Sequence, residues 1–451
     1  MEMVQSHVLV ENRCEVYILR LSASTTRLET CSKREASVNN NTSADYAVRA
    51  VQCDYQSSDE EVYQALKRAT QPLFRTWDRL SRAKRIAIKF NQDWLQQSVV
   101  MYQGHRQQLV SDPVARATLR LLKERTNAEL FAIDIGLEGV RAKVTDGSST
   151  QLLSVFREFN LPFIEGSQTP TAWVDVPGGG LMFDRYPLPQ PITQADEVVS
   201  VQKLKNHAFT GITLCMKNLF ALMAIEPAGR PRIYYHHLVR MPYMLADLGK
   251  ITNPALNIID GLVGQASSEW GRGEHPRICN TLIAGDHVVA TDACGAALMG
   301  HDPRADWLTP PFHRDRNHLL AAAEGGFGTV DLDKIDFLSD VTAPLGEFFS
   351  VETDSRDMVV SWLHTTAEQA LFYRDHQAEF ERQYAGQYIF LQMGQVVSSD
   401  VEGKLHASRR IISGEHPEQG IWMKFVEPGD PEGEHFEVYE HMLSMIKTMG
   451  L

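Results

Sequence analysis

The chain has 451 residues, enough for two or three domains, because a single apolar core seldom grows beyond about 250–300 residues. Its formal net charge of −13 argues against nucleic acid as the main partner, because phosphate backbones are bound by cationic surfaces. No uncharged apolar run approaches the roughly 20 residues that a membrane-spanning helix needs, and the amino terminus lacks a secretory signal pattern. We therefore expect a cytoplasmic protein without membrane contact.

The cysteines are widely spaced, and no two of them form a C-x-x-C or C-x-C pair. This spacing predicts neither a disulfide framework nor a thiolate-bound cluster, and a reducing compartment fits it best. The six residues are Cys14, Cys31, Cys53, Cys215, Cys279 and Cys294.

The sequence pattern changes at residue 58. A strand-like stretch around Val16–Leu21 is followed by Ser22–Asp45, a polar segment without the apolar periodicity needed to bury itself. We interpret residues 1–57 as an N-terminal strand and polar linker. Ser58 and Glu61 then form the pattern of a capping box, which predicts the start of a helix.

From residue 58 to about residue 345, short apolar strands alternate with helix-like segments. This alternation predicts an α/β domain with a mostly parallel sheet flanked by helices. The predicted strands are Ile86–Phe90, Leu130–Asp134, Val198–Leu204, Leu256–Asp260 and Cys279–Ala284. Helices are predicted from Asp112 onward, over Phe209–Met223 and over Val288–Met299.

Residues 346–451 follow a different pattern, which predicts a small C-terminal α+β domain. A helix-like segment precedes the strand Tyr388–Gln392, and Gly394 stands at the bend of a predicted hairpin. A third strand is predicted at Gly420–Val426. This domain is also the place where we expect a protein partner or a homo-oligomer contact.

The segment from Lys203 to Asn218 concentrates polar residues beside a predicted strand end. Lys203 and Lys205 are two residues apart and are expected to share a face at the carboxyl end of their strand, where open α/β sheets bind ligands. His207 follows in a turn. On the predicted helix, Thr210, Thr213 and Lys217 lie along one side. The sequence therefore predicts a helix-end anion site for a phosphate or carboxylate. The alternative is a set of solvated surface lysines with an ordinary loop histidine.

The same segment resembles the signature of the family catalogued as domain of unknown function 362. The resemblance rests on Val198–Phe220, with its Lys-Leu-Lys-Asn-His and Lys-Asn-Leu-Phe motifs, and extends over about residues 84–340. Two departures are Gln202, at a position where the family has proline, and Ala221, where it has glycine. Other matching stretches are Ile88–Asn91, Asp260-Gly261, Ala290–Ala293 with Met299-Gly300, and Glu324–Gly328.

This resemblance implies site residues more than a reaction, because the family's activity is not established in general. Some relatives carry ferredoxin-type cysteine motifs. This chain has none of them, so an intrinsic iron–sulfur cluster is not expected.

Two further groups of residues are candidates for the site. Asp260, Glu269 and Asp292 could bind a divalent cation through oxygen ligands, although Asp292 is also well placed as a helix N-terminal residue. His236 and His237 belong to a cationic and aromatic loop that could close over the site. Since adjacent side chains point in different directions, at most one of the two histidines is expected to take part.

The leading hypothesis is an enzyme that acts on a small anionic substrate by acid/base chemistry. In this hypothesis the three lysines bind the anion, His207 and Lys205 are the catalytic groups, and Asp260 is a second acid/base or a metal ligand. The remaining residues expected to bind substrate are Lys89, Asn91, Thr210, Thr213 and Asn218. The alternatives are a redox or iron–sulfur-associated accessory protein and a non-catalytic ligand-binding module.

Overall fold

The computed structural model describes residues 44–136, 149–225, 229–269, 275–401 and 406–451. The predicted strand around Val16–Leu21 and the polar linker up to residue 43 lie outside this part of the chain. The described residues all belong to one compact unit, Ser43–Leu451. The predicted domain boundaries at residues 57 and 345 remain predictions.

Within the described ranges, a nine-stranded mixed sheet forms the centre of the unit Ser43–Leu451. Its strands are β1 (Tyr46–Gln52), β2 (Arg85–Phe90), β5 (Glu129–Asp134), β6 (Phe163–Glu165), β9 (Glu197–His207), β10 (Gly211–Thr213), β11 (Leu256–Gln265), β12 (Pro276–Gly285) and β13 (Ile335–Ser339). The order is β13-β1-β12-β11-β9-β2-β5-β6, with β10 paired to β9. Neighbours from β11 through β9, β2 and β5 to β6 are parallel, as are β1 and β13. β12 runs antiparallel to both of its neighbours.

Two short hairpins accompany the main sheet. They consist of β3 (Met101–Tyr102) with β4 (His105–Arg106) and β7 (Thr171–Asp175) with β8 (Arg185–Pro189).

Helices accompany the strands along the chain. They are α1 (Asp59–Thr70), α2 (Phe74–Arg82), α3 (Asp112–Arg125), α4 (Leu153–Glu158), α5 (Gln190–Thr193), α6 (Cys215–Asn218), α7 (Arg232–Tyr235), α8 (Arg240–Thr252), α9 (Val288–Leu298) and α10 (His318–Glu324). Short 3₁₀ turns span Gln96–Ser98, Gly166–Gln168, Leu219–Leu222 and Leu332–Lys334.

Two local features of the sequence, the buried strands and the capping box, are found in the structure. β9 and β11 are buried along almost their whole length, as expected for strands covered on both faces, and most polar residues of β9 lie in its second half, from Gln202 to His207. Ser58 accepts a hydrogen bond from the amide of Glu61, whose carboxylate accepts one from the amide of Ser58, so the capping box at the start of α1 is confirmed. The α/β fold with a mostly parallel sheet is confirmed.

β1 lies within the segment that the sequence assigns to the N-terminal strand and linker. It pairs antiparallel to β12 and parallel to β13, which makes it a strand of the main sheet.

The predicted helix over Phe209–Met223 is wrong. Gly211, with φ of +74°, turns the chain back, and β10 pairs with the end of β9. Only the single turn of α6 and the 3₁₀ turn Leu219–Leu222 follow. The apolar residues at helical spacing pack into the core from these short pieces instead of from one helix.

The C-terminal residues form the predicted α+β arrangement. Strands β14 (Tyr388–Gln392), β15 (Gln395–Asp400) and β16 (Trp422–Phe425) make an antiparallel sheet in the order β15-β14-β16, and Gly394 adopts a φ of +71° at the hairpin bend. Its helices are α11 (Arg356–Asp375), α12 (Gln377–Tyr384), α13 (His406–Glu415) and α14 (Glu437–Thr448).

A buried ion pair ties this sheet to the α/β part. The guanidinium of Arg240 on α8 lies 2.8 Å from Glu434 Oε1, and Lys424 Nζ on β16 lies 2.9 Å from the other oxygen of the same carboxylate. None of the helices in the described ranges combines the length and apolar character that crossing a membrane requires.

Candidate functional site

A cavity of about 140 Å³ opens where β2, β5 and β9 end at their carboxyl edge. This is the edge at which open α/β sheets bind ligands, as the sequence predicted. The polar residues that line it are Lys89, Asn91, Asp93, Gln108, Asp134, Gln202, Lys205, His207, Thr213, Lys217, Asn218, Arg232 and Glu269. Trp94, Leu109, Ile135, Phe220 and Ala221 complete the lining.

Lys205 is held in this cavity by two acceptors. Its Nζ donates to Asn91 Oδ1 at 3.2 Å and to the carbonyl oxygen of Gln108 at 2.8 Å. Burial lowers the pKa of Lys205 to about 7, with the nearby ammonium of Lys203 acting in the same direction. Two of the three N–H groups of the ammonium thus donate to fixed acceptors. The third N–H is left for a ligand, and Lys205 can gain or lose its proton near neutral pH.

Lys217 lies at the end of α6 and is almost fully buried. Its Nζ lies 4.8 Å from the centre of the Phe220 ring, and no described carboxylate lies within ion-pair distance of it. Burial, together with the positive charge of Arg232, holds the pKa of Lys217 well below its usual range. The negative charge of a bound anion would offset both effects and raise this pKa, so this lysine is suited to hold one.

Lys89 and Asp134 form a buried ion pair on the neighbouring strands β2 and β5. Lys89 Nζ lies 3.1 Å from Asp134 Oδ2 and also donates to the carbonyl oxygen of Phe90 at 2.6 Å. Burial raises the pKa of Asp134 to about 6, against the opposing effect of Lys89. Lys89 is therefore already neutralised by a carboxylate, unlike Lys217.

Both ring nitrogens of His207 have polar neighbours. The amides of Phe209 and Thr210 donate to Nδ1 at 3.0 and 3.2 Å. The ring proton therefore resides on Nε2, 3.4 Å from Glu269 Oε1. Burial, with the positive charge of Lys217, holds the pKa of His207 well below its usual range. Glu269 Oε2 in turn accepts from the amide of Ala208 at 2.9 Å.

Of the two predicted threonines, only Thr213 lines the cavity. Its Oγ1 is buried and has no hydrogen-bond partner among the described residues. Thr210 instead donates to the carbonyl oxygen of Ile212 at 2.9 Å, within the turn between β9 and β10. The placement of Thr210 in the substrate site is therefore wrong, because the helix that would have aligned the two hydroxyls does not exist.

Asn218 fastens α6 to the sheet while lining the cavity. Its amide nitrogen lies 3.0 Å from the carbonyl oxygen of Lys89, 3.0 Å from Ser200 Oγ and 3.2 Å from the carbonyl oxygen of Val201. Asn91 holds Lys205 by accepting a hydrogen bond from its Nζ. Both asparagines thus position cationic groups of the site.

Lys203 and Asp260 lie outside the cavity, contrary to the prediction. Lys203 Nζ and Asp260 Oδ2 are 3.0 Å apart and both side chains are fully buried. The same oxygen accepts from the amide and the hydroxyl of Ser111, each at 2.8 Å. The register of β9 against β11 shifts between Lys203 and Lys205, so these lysines do not share surroundings.

The three carboxylates proposed to bind a metal occupy three different places. Asp260 pairs with Lys203, Glu269 lies beside His207, and Asp292 accepts from the amides of Cys215 and Met216 at 2.9 and 2.7 Å. Asp292 thus satisfies the start of α6, not of its own helix α9. In the described ranges, no three His, Cys, Asp or Glu side chains converge as a metal site. The predicted metal trio is wrong.

The loop with adjacent histidines lies between the cavity and the C-terminal sheet. The His236 ring lies 4.6 Å from that of Phe209 and 6.3 Å from that of His207, between ring centres. His237 turns the other way, with Nε2 2.7 Å from the carbonyl oxygen of Ile421. Neither histidine lines the cavity, whereas Arg232 from the same loop does.

The sequence analysis missed several cavity residues. Asp134 carried a usable signal, because it is the last residue of a predicted strand whose neighbour carries Lys89. Gln108 and Asp93 carried none, since loops bring them to the cavity, and Gln202 on β9 was noted only as a departure from the family pattern. Arg232, which precedes the two histidines in the chain, was not singled out as a site residue.

The comparison with protein families matches the predicted resemblance. Residues 86–297 match the family described as Domain of unknown function (DUF362). This range contains the cavity-lining residues from Lys89 to Glu269, and the resemblance to the family is confirmed over it.

Among curated proteins, a segment of 126 residues is 29% identical to the thylakoid-associated protein sll1697 of Synechocystis sp.. The match covers 27% of this chain and 38% of that relative. The chain therefore spans well under half the length of the relative it matches.

Among solved structures, the chain is similar to the lactate racemase apoprotein from Thermoanaerobacterium thermosaccharolyticum, with 15% identity. The alignment covers 57% of this chain and 58% of the racemase, at a TM-score of 0.32. At that score, the similarity supports no inference about function.

Proposed function

We propose that this chain, whose residues 86–297 match DUF362, is an enzyme that binds a small carboxylate or phosphate and exchanges a proton with it through Lys205. The observation that carries the proposal is the pair of cavity lysines, Lys205 and Lys217, of which neither forms an ion pair with a described carboxylate. Cations buried without counter-charge are costly unless a ligand supplies it.

The anion is bound on one side of the cavity. Lys217 and Arg232 provide the positive charge, and the unpartnered hydroxyl of Thr213 provides a hydrogen bond. Because the site is largely withdrawn from water, such charge-assisted contacts are stronger than they would be on the surface.

Lys205 is better suited to proton transfer than His207. A general acid or base works best when its pKa lies near the working pH, and the pKa of Lys205 is about 7. The pKa of His207 is held well below its usual range, and two backbone amides occupy its Nδ1. We therefore assign proton transfer to Lys205, and we assign to His207 the positioning of Glu269, which also lines the cavity.

The test of catalysis is hydrogen exchange in D₂O. The protein is incubated with a panel of small carboxylates and phosphates, and proton NMR follows the loss of carbon-bound hydrogen signals. We expect at least one compound to incorporate deuterium with the unaltered protein and with Lys84→Met, which changes an exposed lysine, but not with Lys205→Met. Binding of these anions without exchange of any of them would indicate a ligand-binding module instead.

We also propose a cytoplasmic location and no nucleic-acid partner, on the grounds of the net charge and the cysteines. The described cysteines, Cys53, Cys215, Cys279 and Cys294, are buried free thiols, a state that a reducing compartment preserves. Cell fractionation tests the location, and recovery of the protein with membranes, as the name of the Synechocystis relative would suggest, would contradict it.

A further inference from the structure

Asp134 presents a carboxylate oxygen that no described group satisfies. Its Oδ2 accepts from Lys89 Nζ, whereas Oδ1 is buried without a hydrogen-bond partner among the described residues. The adjacent amide of Ile135 lowers the pKa of Asp134, but its hydrogen bond, of 3.0 Å, goes to the carbonyl oxygen of Ala221. Buried polar atoms are nearly always hydrogen-bonded, so an unpaired acceptor that lines a cavity indicates a donor on the ligand.

The side of the cavity around Asp134 is acidic. Asp93 also lines it, and the carboxylate of Glu165 on β6, the next strand, raises the pKa of Asp134 further. Lys89 balances the charge of Asp134, and the further carboxylate of Glu165 makes this side less favourable for an anion than for a neutral or cationic hydrogen-bond donor. It does not have the three converging ligands of a metal site within the described ranges.

The acidic side and the lysines are separated within the sheet. Lys205 is on β9 and Asp134 is on β5, with β2 between them. Adjacent strands lie about 4.8 Å apart, so the two strand ends are separated by roughly 10 Å. A single small functional group is too short to contact both Lys205 and Asp134. A short molecule that carries one group at each end can contact both.

We propose that the ligand carries a hydrogen-bond donor, a hydroxyl or an ammonium group, in addition to its anionic group, and that Asp134 Oδ1 accepts the hydrogen bond from this donor. This inference rests on the proposed function and defines its substrate class as short hydroxy or amino derivatives of carboxylates or phosphates. The acidic surroundings favour the ammonium over the hydroxyl.

The test compares ligands that differ in a single group. Propanoate, 3-hydroxypropanoate and 3-aminopropanoate form one series, and ethyl, 2-hydroxyethyl and 2-aminoethyl phosphate form the other. Calorimetric titration at pH 7 gives the affinity of each compound for the unaltered protein, for Asp134→Asn and for Lys217→Met.

We expect a hydroxy or amino compound to bind at least about tenfold more tightly than its parent in one series, with the larger gain for the amino compound. Asp134→Asn should reduce this preference to less than about threefold, while the parent anion binds at least as tightly as to the unaltered protein, because the change frees the charge of Lys89. A larger gain for the hydroxyl would reverse the order of the two donors and overturn the preference for ammonium.

Two results would overturn the inference while the proposed function stands. One is equal affinity within both series in the unaltered protein, a comparison that needs no variant, together with binding that Lys217→Met abolishes. The other is a preference that survives in Asp134→Asn. If no compound binds in a Lys217-dependent way, the proposed function itself fails and the inference fails with it.

Discussion

The carboxylate of Asp292 accepts a hydrogen bond of 2.9 Å from the amide of Cys215, 77 residues earlier in the chain. Its second oxygen accepts from the next amide, that of Met216. These bonds hold the first turn of α6, and α6 carries Lys217 into the cavity. A residue that the sequence suggested as a metal ligand thus positions the turn that carries Lys217.

Asp292→Asn should weaken both folding and anion binding. The amide side chain can accept only one of the two hydrogen bonds, so one buried backbone donor loses its partner at a cost of about 1–3 kcal/mol. Urea denaturation should show this loss in the free energy of unfolding, and phosphate affinity should fall because Lys217 moves. Unchanged stability and affinity would show that α6 does not need this cap.

Gly211→Ala should destabilise the turn that replaces the predicted helix. Its φ of +74° is unfavourable for alanine, and an added Cβ would lie 2.8 Å from the carbonyl oxygen of Pro311. We expect a loss of roughly 2 kcal/mol or more in the free energy of unfolding. Gly414→Ala is the matched control, since Gly414 lies in α13 with nothing near the added methyl group, and it should be neutral or slightly stabilising. Equal effects of the two changes would contradict this account of the turn.

Glu434→Gln should cost much more stability than the loss of an exposed carboxylate. Glu434 accepts from Arg240, Lys424 and Tyr439 in the buried contact between the α/β part and the C-terminal sheet. Removing its charge leaves two buried cations with too little counter-charge, which typically costs about 3–5 kcal/mol. Asp78→Asn, at an exposed ion pair, should change stability by less than about 1 kcal/mol. Thermal or urea denaturation separates the two outcomes.

The lowered pKa of Glu434 predicts that the free energy of unfolding falls at acid pH. Arg240 and Lys424 overcome the effect of burial and lower the pKa of Glu434 to about 2. A carboxyl group with a lowered pKa stabilises the fold above its unfolded pKa, about 4.3, and this contribution is lost as the pH falls towards 2. The difference in stability between the unaltered protein and Glu434→Gln should therefore shrink over this range. A difference in stability that does not change with pH would show that the ionisation of Glu434 is not its cause.

Anion binding should be coupled to proton uptake. The pKa of Lys205 is about 7 and that of Lys217 is also lowered, and a bound anion raises both. Phosphate affinity should therefore fall as the pH rises above 7, apart from the titration of phosphate itself. Calorimetry in buffers of different ionisation enthalpy measures the protons taken up, and acetate, which does not titrate in this range, is the control ligand. Zero uptake with both ligands would mean that the lysines stay charged in the empty cavity.

Most strands and the general position of the site could be predicted from the sequence. Local apolar patterns predicted the strand that carries Lys205. The spacing of the lysines then indicated the edge of the sheet at which this strand ends. The helix over Phe209–Met223 could not be excluded locally, because its apolar residues have helical spacing. The turn at Gly211 and the cap from Asp292 are decided by tertiary contacts. The same is true of Asp134, whose importance depends on the neighbouring strand carrying Lys89.

The most direct measurement is calorimetric titration with inorganic phosphate at pH 7 of the unaltered protein, Lys217→Met and Lys84→Met. We expect binding by the unaltered protein and Lys84→Met, and a loss of about 10–100-fold in Lys217→Met, because a charge-assisted contact contributes about 1.5–3 kcal/mol. Equal affinity of all three proteins for phosphate would contradict the assignment of this cavity as an anion site.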